Sequence, residues 1–168
     1  SPTLIPLTTD PDLFAATCAL GNELIWLHTW RESALMSSPT GYDDDVEFEI
    51  VSEPDGLISE FSYNPDLQVL EVGNGRIAGI SPDLWEYQVS GLKVLKSWLG
   101  YRKTPRSGKR SSPLDVVRDA EWSHTSELLE LLKILQSTIN RGPRARELIS
   151  AIDAHKILLS SRDLIGLH

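Results

Sequence analysis

The chain has 168 residues, 40% hydrophobic and 24% charged, with a formal net charge of −8, which suits one globular domain over residues 1–168 and excludes a disordered or disulfide-framed chain. No apolar run approaches the roughly 20 residues of a membrane helix. The opening Ser1-Pro2-Thr3-Leu4 does not read as a signal peptide, and the lone Cys18 fits a reducing, cytoplasmic compartment. The missing initiator Met reads either as a fragment of a longer chain or as a trimmed tag.

The first element is a helix. Asp10 stands as N-cap and Pro11 at the first helical position. Leu13, Thr17, Leu20, Leu24 and Leu27 then stripe one face to about Arg31. Ser37-Ser38-Pro39-Thr40-Gly41 breaks the pattern, and Val46-Glu47-Phe48-Glu49-Ile50 alternates as a half-buried strand should. Pro54-Asp55-Gly56 signals a turn. Leu67–Val72 and Arg76–Ile80 flank Gly73-Asn74-Gly75 and are expected to pair as a hairpin. Leu84–Val89 reads as a short strand, and Ser90-Gly91 as the cap of a helix with apolar positions Leu92, Leu95, Trp98 and Leu99. Thr104–Ser112 reads as a mobile loop and Pro113 as the start of a short helix. Leu128, Leu132, Leu135 and Ile139 stripe a long helix that Arg141-Gly142-Pro143 should end, with a last helix over about Arg144–Leu159. An N-terminal helix, a small mostly antiparallel sheet and C-terminal helices make the expected class α+β.

Charge is segregated along the chain. In residues 1–90 sixteen acids face only Arg31 and Arg76, a net of −14. Residues 91–118 hold eight bases and only Asp115, a net of +7. The whole-chain charge argues against nucleic acid, yet a polyanion feels the local field most strongly. A binding surface and a solvated basic loop balancing its acidic neighbour both fit this pattern.

Several fragments resemble catalytic motifs without their context. Gly73-Asn74-Gly75-Arg76-Ile77-Ala78 fits a loose dinucleotide fingerprint, but Gly79 and Pro82 leave no room for the helix that must receive the phosphate. Gly100 and Gly108-Lys109 have the wrong spacing for a phosphate loop. Tyr63-Asn64-Pro65-Asp66 lacks the second proline and the aromatic of an adenine-methyltransferase motif, and reads as a turn. His28, His124, His155 and His168 show no metal-ligand spacing, Asp43-Asp44-Asp45 lacks the later Glu of a calcium loop, and Cys18 reads as a small buried hydrophobe. No catalytic, metal or cofactor centre is expected within these residues.

The run from Ile80 to Arg102, with Trp85, Tyr87, Val89, Gly91, Val94, Leu95, Trp98, Leu99 and Arg102 in register, resembles a signature of type ISP restriction-modification enzymes and related adenine-specific DNA methyltransferases. It is similar to their C-terminal target-recognition (specificity) domain. Asp12-Leu13-Phe14, Leu20-Gly21, Leu27-His28 and Glu127–Leu132 extend the likeness from about Asp10 to Leu158. Ser90 stands where the family often has a second glycine. The resemblance implies a fragment from the C-terminal end of a polypeptide involved in phage defence. Its upstream methyltransferase domain would bind S-adenosylmethionine and modify adenine, and nuclease and helicase domains often lie further upstream. This domain would then grip double-stranded DNA and select its sequence.

Within the motif Trp85, Tyr87, Val89, Leu95, Trp98 and Leu99 are expected to form core. The candidate DNA contacts are the bases this core displays: Lys93, Lys96, Arg102 and Lys103 from the helix, and Arg106, Lys109 and Arg110 from the loop. The rival expectation is a protein-docking module whose acidic half meets a basic partner and whose basic loop is incidental.

Overall fold

The structure, a computed structural model, describes residues 8–29, 46–103 and 121–154. The chain divides into two compact units, one of residues 1–43 with 140–168 and one of residues 44–139. Element α1 (Pro11–His28) belongs to the first. Asp10 Oδ1 accepts from the backbone N–H groups of Asp12 and Leu13 at 2.9 and 3.1 Å, satisfying two of the donors that every helix start leaves open. Leu20 and Leu27 of the expected stripe are buried, as are Trp26 and Ile152. Cys18 is exposed, which corrects its expected burial. It lies off the Leu20–Leu27 stripe, on the solvent side of α1.

The second unit is built on a four-stranded antiparallel sheet in the order β1-β4-β3-β2, from β1 (Glu49–Ser52), β2 (Phe61–Asn64), β3 (Val69–Val72) and β4 (Gly75–Ala78). The expected hairpin forms, pairing Val69 with Ala78 and Val72 with Gly75 around a two-residue loop whose Gly73 takes φ +57. Alternation places Leu70, Val72 and Ile77 on the buried face. The first strand starts three residues later than the alternating run predicts, because β4 offers partners only from Ala78 back to Arg76, with a bulge between Ile50 and Ser52. Strand β2 had no counterpart in the sequence reading. After it Asn64 Oδ1 accepts from the N–H groups of Asp66 and Leu67, so Tyr63-Asn64-Pro65-Asp66 does lead into a turn.

The motif segment departs further from expectation. Leu84–Val89 is not one strand. Ser81 caps a single helical turn, α2 (Pro82–Trp85), accepting from Leu84 N–H at 3.2 Å, and only Gln88–Val89 is extended, as β5. Ser90 and Gly91 do not cap a helix; at φ +50 and +84 they form the loop of a hairpin between β5 and β6 (Leu92–Lys93). Helix α3 (Val94–Arg102) begins after it. Leu95 and Leu99 are buried while Val89 and Leu92 are exposed, so Val89 leaves the expected core.

Element α4 (Thr125–Ala154) is one helix where two were expected, with Pro143 inside it. Proline removes one N–H and crowds the carbonyl four residues back, so a break there is the ordinary outcome. Here both flanks are held: within the first unit Glu23 of α1 accepts from Arg141 Nε at 2.9 Å and from Arg144 Nη1 at 3.0 Å. In the second unit Leu128, Leu132 and Leu135 pack with Leu95, Leu99, Leu84 and the buried sheet face into one core. Burying each such side chain stabilises the fold by about 1.5–3 kcal/mol.

Close packing around the β3–β4 loop gives a stability expectation. A Cβ on Gly75 would collide with the backbone N and Cα of Pro54, which cannot rotate away. Gly75→Ala should therefore cost roughly 1–3 kcal/mol, a fall in melting temperature of roughly 5–15 °C. Gly21→Ala, in the open middle of α1, should be neutral or slightly stabilising. Thermal unfolding of the two variants side by side checks both.

Candidate nucleic-acid interface

Helix α3 positions the basic side chains. Lys96 and Lys103 stand seven residues apart, almost two full turns, and therefore share one flank. That flank lies over a connected aromatic bed. Tyr63 and Trp85 stack at 5.0 Å and 26°, and Phe61 meets the Trp85 edge at 6.3 Å. Lys96 Nζ sits 4.7 Å above the Trp85 ring, and Lys103 Nζ is 5.6 Å from that of Phe61. Such contacts hold the aliphatic stems flat while the ammonium heads stay in water. The Tyr63 hydroxyl donates to the Ile80 carbonyl at 2.8 Å, fixing the bed from below, and partial burial raises its pKa.

Lys93, at the N-cap of α3, joins Lys96 through Glu86. One Glu86 oxygen accepts from Lys96 Nζ at 2.7 Å and the other from Lys93 Nζ. Those hydrogen bonds hold the Glu86 carboxyl below its ordinary range and raise the Lys93 ammonium above its own. Glu86 is therefore ionised at neutral pH, and its contribution is lost only as pH falls through that depressed pKa. The trio carries a net charge of +1 at neutral pH.

Arg102 belongs to a separate cluster. Its guanidinium sits 3.7 Å over the Trp98 ring, and Nη2 donates to Glu127 at 3.2 Å. Trp98 also meets Trp122 and His124 edge-on, both at 6.3 Å. Trp122 Nε1 donates to Thr125 Oγ1 at 2.9 Å. Arg102 Nε and His124 Nδ1 are buried without a hydrogen-bond partner among the described residues.

The structure thus brings Lys93, Lys96 and Lys103 together and sets Arg102 apart against its own carboxylate. Arg106, Lys109 and Arg110 lie outside the described residues, as do the loop and short helix expected after Thr104 and the aspartates at 43–45. Glu86 and the Phe61 ring carry no local sequence signal for this site, and Glu127 enters the sequence only through the family likeness. Glu86 reaches Lys93 and Lys96 across a hairpin, seven and ten residues away, and no helical or strand periodicity predicts such a pair.

Among the described residues no three His, Cys, Asp or Glu side chains gather as a metal site, and no helix is long and apolar enough to cross a membrane. The model of the family described as the type ISP C-terminal specificity domain matches residues 3–131. No curated protein and no solved structure matches the chain.

Proposed function

Because the chain belongs to the family of type ISP C-terminal specificity domains, we propose that it selects the target sequence on double-stranded DNA for a restriction-modification polypeptide, gripping the duplex along the lysine flank of α3. The observation that carries this reading is the set of Lys93, Lys96 and Lys103 in and beside the segment most like the family signature, with Lys96 over Trp85, Lys103 over Phe61 and Lys93 tied to Glu86. Phosphate contacts from such a row set affinity and register, while base edges are read by neighbouring groups.

The adenine-N6 chemistry belongs in this proposal to a methyltransferase domain elsewhere in the same cytoplasmic polypeptide, which binds S-adenosylmethionine. Among the described residues the glycine pair of the loose dinucleotide fingerprint supports placing that cofactor elsewhere. Gly73 and Gly75 serve a hairpin loop packed against Ile58 and Pro54, with a strand following instead of a helix. The parent's role in phage defence follows from this assignment, and cleavage would fall to further domains.

The test is fluorescence anisotropy on a short duplex across a salt series. Each phosphate neutralised releases counterions and adds about −0.9 to the slope of log affinity against log salt, so four or five contacts give roughly −4. A duplex left unbound even at low salt would remove this reading. It would favour a docking module in which the acidic first half meets a basic protein.

A further inference from the structure

The β5–β6 hairpin has no structural explanation as core. Its loop residues Ser90 and Gly91 both take positive φ, the signature of a tight type I′ turn whose twist matches the strands. Val89 and Leu92 face each other directly across the ladder, so they share one side of the ribbon. Their exposures are 53% and 57%, a bare apolar pair beside the turn at the tip of the hairpin. Gln88, exposed, and Lys93 pair on the opposite side.

The base of the hairpin is fixed. Val94 N–H donates to the Tyr87 carbonyl at 3.1 Å, and Glu86 ties Lys93 and Lys96 across the same junction. Strand β6 runs without a break into α3, so the apolar tip is rigidly coupled to the lysine flank. Any polyanion gripped by that flank is brought beside the tip.

On the reading proposed above, we infer that this hairpin is the element that reads base edges: its tip enters the major groove, and Val89 and Leu92 contact thymine methyl groups. A two-stranded ribbon fits a groove about 12 Å wide, and the thymine methyl is the apolar feature exposed there. The adjoining cations Lys93 and Lys96 match the phosphates that line the groove. Burying one methyl group changes affinity by about fourfold.

The experiment selects bound duplexes from a pool of random sequence with the chain itself, then replaces thymine by uracil at each position of the enriched site. Wild type should enrich a thymine-containing site and lose about fourfold in affinity at one or two uracil positions. The double variant Val89→Thr/Leu92→Gln should keep its melting temperature and its salt slope, yet become indifferent to uracil. A double variant with wild-type enrichment and wild-type uracil sensitivity overturns the inference and leaves DNA recognition standing. So does a wild type that binds duplex without enrichment, or enriches a site where uracil makes no difference. A wild type that binds no duplex at any salt removes both.

Discussion

Replacing Trp98 by Ala should lower the stability of the sheet-containing unit by about 3 kcal/mol, a large share of the whole for a domain of this size. Trp98 is only partly buried, which sets the figure at the low end for a tryptophan truncation. It is nevertheless a hub. Its ring packs on the core that Leu95 and Leu99 share with Leu128 and Leu132, receives Trp122 and His124 edge-on, and carries the Arg102 guanidinium on its face. Truncation leaves a cavity beside α4 and strips Arg102 of its stacking partner, although Glu127 still holds one guanidinium nitrogen. Trp98→Phe should recover more than half of the loss, because a smaller ring still fills most of the space. Denaturant unfolding of wild type and both variants measures this, with DNA affinity followed in parallel. An unchanged unfolding midpoint with abolished DNA binding would make Trp98 a stacking platform for bases.

What the sequence disclosed depended on how local each signal was. Asp10-Pro11 and the leucine stripe of α1 act within one helix, so they were legible, and so was the Gly73-Asn74-Gly75 hairpin. The same rules, applied more closely, fit the motif segment too. Ser81-Pro82-Asp83 carries a cap, a first-turn proline and a first-turn acid, as α2 requires, but the apolar alternation from Leu84 to Val89 read over it as a strand. Ser90-Gly91 reads equally well as a helix cap or as a two-residue turn. The structure settles on the turn, through pairing between strands of only two residues each.

Other features depend on tertiary partners that no short window contains. Pro143 signals a stop, yet Glu23, more than a hundred residues earlier, holds the side chains on both sides of it. The row of bases on α3 was legible from spacing, but its electrostatics were not. Two of the four described bases share Glu86 and a third is paired with Glu127, so the local field is weaker than a residue count implies.

That pairing shapes the second large effect. Replacing Lys93, Lys96 and Lys103 together by Ala should flatten the salt slope by up to about 3 and weaken binding to all duplexes alike, since phosphate contacts carry no sequence information. Between 50 and 200 mM salt a difference of that size amounts to tens of fold in affinity. The variant also leaves Glu86 uncompensated on the lysine flank, where its charge should repel a duplex and add to the loss. Glu86→Gln should act in the opposite direction. It frees both ammonium groups from a carboxylate that must otherwise be given up to the phosphates, so affinity at low salt should rise roughly three- to tenfold and the slope should steepen. Because the Glu86 pKa is depressed, none of this gain should appear in wild type on moving from pH 8 to pH 6. Anisotropy titrations of wild type, the triple variant and Glu86→Gln over one salt series separate the contributions. If the triple variant binds like wild type, the lysine flank is a solvated surface and DNA is held elsewhere. If Glu86→Gln weakens binding, the carboxylate positions Lys93 and Lys96 for the phosphates, and competition with them is the lesser effect.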